Sequence, residues 1–229
     1  HMPKISCILP TLNERENLPL LFEKLDAIDD DMEIILVDDA SQDGTGAYAR
    51  GYHGRHPIRV LDRPGKLGLA SAVVDGFRFA NGSLLFAMDA DLSHDPAILP
   101  AMVQKLEQGA DVVIGSRYTE HGGIVGWTIR RQVMSLVATW VAKMLLHVGQ
   151  KDPMSGYFGL HRTVFERVSP RLRPRGYKIL LELLVRGRPL RATEVGFIFH
   201  DREHGKSKIS GTIAWEYGRM VLELLFRRV

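Results

Sequence analysis

The run Leu84-Leu85-Phe86-Ala87-Met88-Asp89-Ala90-Asp91-Leu92-Ser93-His94-Asp95-Pro96 decides how this chain folds. Its first five residues read as a buried strand. An acidic loop follows, and at Asp95-Pro96 a capping carboxylate and a first-turn proline open a helix. Working outward, the same unit recurs. Ile5–Leu9 precedes a helix from about Glu14, Ile34–Val37 precedes a helix from about Gly44, and Ile58–Leu61 precedes a helix through Val73–Ala80. Val112–Ile114 supplies a fifth strand beyond the helix that starts at Asp95. Short apolar strands alternating with helices predict an α/β fold with a mostly parallel central sheet flanked by helices. Ligands of such sheets bind beyond the carboxyl ends of the strands. Function is therefore to be sought at Pro10–Glu14, Asp38–Asp43, Arg63–Gly68, Asp89–Asp95 and Ser116–Gly126.

The 229 residues are 45% hydrophobic and 25% charged, with 22 glycines and one cysteine, which excludes disordered, collagenous and disulfide-framework classes. Cys7 sits in an apolar run and reads as a core residue, in keeping with a reducing compartment. The net charge of +3 conceals an asymmetry: residues 1–126 carry 11 Lys and Arg against 19 Asp and Glu, whereas residues 127–229 carry 19 against 8. An acidic part suits a cation, and a basic part suits phosphates or an anionic membrane surface. Two solvated faces would give the same count. The chain is expected to form one compact domain, residues 1–229, whose two parts meet near Gly126. No signal peptide is read at the N-terminus, where His1-Met2 looks like an expression remnant, and export is not expected. Val133–Leu146 is too short and too polar to span a bilayer.

The second part reads as a helix from about Trp127 to His147, a loop at Asp152–Ser155, a strand through Tyr157–Leu160 and a helix near Ile179–Arg186. A strand over Thr193–Phe199 and an apolar-faced helix over Ile213–Phe226 complete it.

Two phosphate-loop patterns fail on context. Gly44-Thr45-Gly46-Ala47-Tyr48-Ala49 lies beside Asp38, Asp39 and Asp43, which would repel a pyrophosphate, and Gly65-Lys66-Leu67-Gly68 lacks the hydroxyl after its lysine. Asp89 and Asp91 carry the sharper signal. Residues two apart in extended backbone project to one side, so the two carboxylates converge and call for a cation or a shared proton. Hard oxygen ligands point to Mg²⁺ or Mn²⁺, with substrate phosphate completing the shell, while capping and turn formation is the alternative role. Of Asp38 and Asp39, only one faces the cleft easily, and the other is expected to brace the loop to Asp43. His94, His200 and His204 lack the tight spacing of a zinc site, and Arg171, Arg173 and Arg175 lack the interleaved aromatics of a nucleic-acid patch, so no nucleic-acid partner is expected.

These segments together resemble the inverting nucleotide-sugar glycosyltransferases of the family 2 type, with a GT-A-like fold, and within it the polyprenyl (dolichyl) phosphate mannosyltransferases. The likeness runs through Pro10-Thr11-Leu12-Asn13-Glu14, Val37–Thr45, Lys66–Leu69, Met88–His94, Gly115–Tyr118, Gly122–Trp127, Ser155–Phe158, Gly176-Tyr177-Lys178, and Arg202 with Gly205–Lys208. The resemblance implies that Pro10, Glu14, Val37 and Asp39 hold the base and ribose of GDP-mannose, with Asp89 and Ala90 lining the same site. Leu12 stands where the family usually carries an aromatic, and it contacts a base without stacking on it in the same way. Asp91 is implied as the main metal ligand and, with Arg117, as a catalytic residue. Asp89 and Ser93 assist the metal, Arg202 and Lys208 close over the diphosphate, and Arg117, Arg131 and Ser135 grip the acceptor phosphate. A UDP-glucose donor, or a module that binds nucleotide sugar without turnover, is the alternative, since no residue reads the sugar's configuration.

A phosphate monoester with a second pKa of about 6 is largely dianionic at pH 7, so the acceptor needs no general base. Trp127–His147 and Ile213–Phe226 are expected to lie either at a membrane interface, with Trp127, Trp140 and Trp215 at headgroup depth, or in the core. Peripheral attachment to the cytoplasmic face of a membrane follows from the first choice. Arg227-Arg228 would then flank membrane helices absent from this chain, or a separate membrane subunit would serve.

Overall fold

The computed structural model describes residues 3–174, 176–201 and 211–226. Strands β1 (Ile5–Thr11), β2 (Met32–Asp38), β3 (Ile58–Asp62) and β4 (Leu84–Ala87) alternate with helices α1 (Leu18–Asp26), α2 (Thr45–Gly51) and α3 (Leu69–Phe79). A single 3-10 turn at Pro96–Ile98, with Asp95 as its cap, leads into α4 (Leu99–Glu107). Then come β5 (Val112–Ser116), β6 (Gly123–Val125), α5 (Ile129–Leu146), β7 (Phe158–His161), α6 (Arg162–Val168), α7 (Ile179–Arg186), β8 (Ala192–Gly196), β9 (Ile198–His200) and α8 (Gly211–Phe226). Among the described residues the main sheet has seven strands in the order β3-β2-β1-β4-β7-β5-β8.

Every pairing in that sheet is parallel except those of β7, which runs antiparallel to both β4 and β5. The central strands β1, β2, β4 and β5 are mostly apolar because both their faces are buried, whereas the edge strands β3 and β8 are half-buried and carry Arg59 and Glu194. Ile8, Ile35 and Val37 point to one face, under Val73 and Phe77 of α3, while Cys7, Leu9, Ile34 and Leu36 point to the other, under α1 and α4. This is the period-two alternation of a pleated strand, with helices substituting for solvent on both sides.

The antiparallel β7 has a positional consequence. Phe158, its first residue, lies opposite Ala87 of β4 and Ile114 of β5, so the segment before it, Asp152–Tyr157, reaches the same edge as the carboxyl ends of β1, β2, β4 and β5. Residues far apart in sequence therefore share one ligand edge.

Two sequence expectations need correction. The strand expected over Thr193–Phe199 is two strands: β8 pairs with β5, and β9 pairs with β6 in a separate two-stranded sheet. The chain departs at Gly196, where a Cβ would lie 2.0 Å from the Glu120 carbonyl, and Phe197 bonds back to the Ser116 carbonyl. The helix expected from about Glu14 starts at Leu18, because Asn13, at φ +59°, and Glu14 build a turn against residues 41–45. Trp127, partly buried, packs its ring on Phe199, 5.4 Å between centroids, with its indole nitrogen buried.

At the amino end of the sheet, Glu33 is almost fully buried and accepts from Ser6 Oγ (2.6 Å), the Asn81 amide (2.6 Å) and Arg59 Nη1 (3.1 Å). Burial pushes its carboxyl up, but these donors outweigh it and hold the pKa below the ordinary 4.5. A depressed carboxyl stabilises the fold above its unfolded value, and that stability is lost as pH falls through the folded one. Glu33→Gln should therefore unfold more easily at pH 7, by about 2 kcal/mol, with the gap to the parent closing as urea titrations are taken below pH 4.5.

Candidate active site

The ends of β1 and β2 form the first wall. Asp38 is the bracing carboxylate: it accepts from Thr11 Oγ1 (3.2 Å), the Ser41 amide (3.2 Å) and Ser41 Oγ (2.5 Å), which fixes Ala40 at φ +62°. Asp39 turns toward the third strand. It accepts from Arg63 Nη1 (2.6 Å) and from the amides of Leu67 (3.2 Å) and Gly68 (2.9 Å), so it ties the 63–68 loop to the end of β2. Gly68, at φ +99°, supplies the backbone conformation this approach requires. Glu14 accepts from Asn17 Nδ2 (2.7 Å), and its amide donates to Thr45 Oγ1 (3.0 Å). Pro10 and Val37 are buried strand residues, the Val37 side chain belonging to the core, whereas Leu12 is partly exposed at the cleft.

The acidic loop after β4 is the second wall. Asp91 Oδ1 accepts from the Ser93 amide (3.1 Å) and Ser93 Oγ (2.5 Å), so Ser93 orients the buried Asp91 carboxylate. The Asp89 amide donates to His94 Nδ1 (3.0 Å), which places the ring hydrogen on Nε2, 3.9 Å from Asp89 Oδ2. Burial lowers the His94 pKa against the pull of Asp89 and Asp91, which keeps the ring neutral and its Nδ1 an acceptor. The ring stacks on Tyr157 at 5.2 Å. A Cβ on Gly156 would stand 3.3 Å from Asp89 Oδ2 and from His94 Cε1, so the loop before β7 passes directly against this carboxylate.

The third wall carries cations. Asp152, fully buried, accepts from the Arg117 amide (3.0 Å), Arg117 Nε (2.7 Å) and Arg117 Nη2 (2.8 Å). Burial works against the Arg117 charge, and the Asp152 hydrogen bonds and charge more than restore it. Glu194 on β8 accepts from the amides of Lys151 (2.8 Å) and Asp152 (2.9 Å). Arg131 Nη1 is held by both oxygens of Asp201 (2.9 and 2.8 Å), with its guanidinium 4.2 Å from the Trp127 ring centre. The Arg117 guanidinium lies 5.5 Å from the same ring, and Ser135 Oγ is 3.1 Å from the Tyr118 hydroxyl. The structure thus gathers Arg117, Arg131 and Ser135 around Trp127 and Tyr118. Arg202, His204, Lys208, Arg227 and Arg228 lie outside the described residues, as do Arg175 and the side chain of Trp215.

Sequence reasoning gave no role to His94, Asp152, Glu194 or Lys178. The adjacency of His94 to two aspartates was a usable signal. Asp152 and Glu194 were not, since their partners are 35 and 42 residues away.

A mostly parallel sheet with a carboxylate pair after β4 and anchored arginines after β5, along one edge, defines a glycosyltransferase of GT-A-like α/β fold. Residues 6–169 match the model of glycosyl transferase family 2, and the chain belongs to that family. It is 39% identical to the dolichol-phosphate mannosyltransferase of Pyrococcus furiosus over 226 residues, 97% of this chain and 64% of that protein. It is 38% identical to the polyprenol monophosphomannose synthase of Mycolicibacterium smegmatis, over 90% of this chain and 80% of that one. Among solved structures, glucosyl-3-phosphoglycerate synthase of Mycobacterium tuberculosis superposes with a TM-score of 0.70 at 22% identity, covering 99% of this chain and 80% of that chain. A further structure of that synthase contains Mn²⁺, UDP-glucose and glycerol 3-phosphate.

Asp152→Asn keeps the shape at the centre of this wall and removes the countercharge of Arg117. Unfolding in urea should show a loss of about 3 kcal/mol, most of it recovered when Arg117→Met is added, because replacing both partners removes the stranded charge.

Proposed function

We propose that the protein transfers a mannosyl group from GDP-mannose to a polyprenyl phosphate with inversion, using Mg²⁺ or Mn²⁺, at the cytoplasmic face of a membrane. The observation that carries this reading is the placement of the acidic loop after β4 next to the Arg117–Asp152 pair after β5, a cation site beside an anion site. The relatives named for mannosyl transfer to dolichol and polyprenol phosphates support the choice of sugar and acceptor.

The residues fit a divalent metal. Asp89 and Asp91 offer hard oxygens, and among the described residues no group of three His, Cys, Asp or Glu side chains gathers into a closed cage. So sparse a set suits an ion whose shell is completed by substrate phosphates. Asp91, oriented by Ser93, and Asp89, braced by His94, would hold it; when bound it supplies positive charge for the departing diphosphate. Asp39, Glu14, Leu12, Pro10, Val37 and Ala90 form the nucleoside end, and Arg202 and Lys208 would cover the diphosphate. The dianionic acceptor arrives ready to attack and is oriented by Arg117, Arg131 and Ser135. One of its oxygens bonds to the anomeric carbon as the bond to the diphosphate breaks, the electron pair leaving on the phosphate oxygen. An α-linked donor gives a β-linked lipid phosphate sugar.

Membrane attachment is supported by α5. Ile129, Val133, Leu136, Val137, Trp140 and Met144 form a stripe at helical spacing, each at least half exposed. Leu222 and Phe226 of the neighbouring α8 are exposed as well. No described helix is long and apolar enough to cross a membrane, so this stripe would lie along the surface.

Labelled sugar should pass from GDP-mannose, and not from UDP-glucose, to a short polyprenyl phosphate in detergent. A chelator should stop it, Mn²⁺ or Mg²⁺ should restore it, and Asp91→Asn should lower the rate at least about 100-fold. Transfer from UDP-glucose, or GDP binding without transfer from either donor, would overturn the reading. For the membrane, joint Val137→Glu and Trp140→Glu should reduce sedimentation with anionic phospholipid vesicles about tenfold while leaving transfer to a short acceptor in detergent unchanged.

A further inference from the structure

Lys178 stands immediately before α7, and the mechanism above does not use it. Its ammonium bonds the Met154 carbonyl at 3.4 Å. Met154 belongs to the segment that begins at Asp152, the partner of Arg117, and passes Asp89 at Gly156. The amine is therefore strung between the arginine wall and the acidic loop, and it feels the charges of Arg117, Asp152 and Asp89.

Two features make this lysine a candidate for binding an anion. An ammonium has three hydrogens to donate; the Met154 carbonyl takes one, at 3.4 Å, and the half-buried position leaves the others open to an incoming ligand. A lysine kept only as a strut would also not be placed beside a second cation. Burial and the nearby Arg117 bring its pKa down to about 8, against the opposing pull of Asp152 and Asp89. Asp152 does not neutralise both cations, because its carboxylate already takes three hydrogen bonds from Arg117. The wall thus keeps an excess positive charge and spare donors next to the carboxylate loop, an arrangement completed by an incoming anion.

We propose that Lys178 is a catalytic residue that donates to an oxygen of the acceptor phosphate monoester, beside Arg117, and aims the attacking oxygen at the anomeric carbon. This rests on the acceptor reading given above. The phosphate oxygen forms the new bond to carbon, the diphosphate leaves with the electron pair of the old one, and no proton moves; Lys178 stays protonated throughout. Its ammonium bridges the two halves of the site, which explains why it comes from the loop facing both.

The test compares the parent with Lys178→Met, which keeps most of the unbranched side chain without its charge, and Lys178→Arg, which keeps the charge. Binding of farnesyl phosphate in the presence of GDP and Mn²⁺, measured by calorimetry, should weaken about tenfold in Lys178→Met, and kcat for mannosyl transfer should fall about 100-fold. The GDP dissociation constant and the thermal midpoint should stay close to the parent's, and Lys178→Arg should recover part of both losses. Unchanged farnesyl phosphate binding in Lys178→Met would overturn the proposal. A loss of GDP affinity instead would assign the lysine to the donor, and a fall in the midpoint without rescue by arginine would make it structural. Either of these also overturns it. If the parent binds farnesyl phosphate but transfers nothing to it, the transferase reading fails, while the binding comparison still decides Lys178.

Discussion

The ligand edge depends on the ion pair between Arg117 and Asp152. Asp152 is fully buried and takes its three bonds from one residue at the end of β5, while its own amide is held by Glu194 on β8. A buried pair of this kind adds little net stability over an apolar replacement, because desolvation offsets much of the attraction. What it does impose is geometry. Removing one partner strands a charge, so the loop before β7 has one favourable position, and that position sets Met154 under Lys178 and Gly156 against Asp89.

The pair also crosses the division in charge. Arg117 is a cation of the acidic first part and Asp152 an anion of the basic second part. The sheet itself ignores that division, since β7 inserts between β4 and β5. Interleaving the strands brings the carboxylates of one part to within a few residues of the cations of the other. Repulsion between a nucleoside diphosphate and a phosphate monoester is the main obstacle to bringing two such substrates together. Under the proposed function, carboxylates that would hold a metal at one end and anchored cations at the other would distribute that charge along one edge.

The central strands were legible because burial on both faces leaves them mostly apolar, with Ser6 and Glu33 the buried exceptions, and the candidate loops were legible because they follow parallel strands at fixed places. The division of labour between Asp38 and Asp39 also follows from strand alternation: Asp38 bonds back to Ser41, and Asp39 reaches across to Gly68. The direction of β7 was not legible, since Phe158-Gly159-Leu160 has no feature that separates parallel from antiparallel. Nor was the break at Gly196, which is imposed by the backbone of residues 120–122 rather than by any local signal. Trp127 shows the limit of reading an amphipathic stretch. It adjoins α5 in sequence, but Gly126, at φ +91°, turns the chain and sends the indole inward, whereas Trp140 on the same stretch stays 62% exposed.

That inward turn completes a wall of rings beneath the whole site. His94 stacks on Tyr157, Tyr157 meets Phe197 edge-on at 5.6 Å, Phe197 neighbours Phe199, and Phe199 meets Trp127. Such contacts add about 1 kcal/mol each beyond the area they bury. Their greater effect is to make the two ends of the site one body. The break at Gly196 is what allows Phe197 and Phe199 to face the same wall, because a continuous strand would carry both away along β5. From β9 the chain then reaches both ends at once: the His200 amide bonds the Ser93 carbonyl of the acidic loop, and Asp201 holds Arg131.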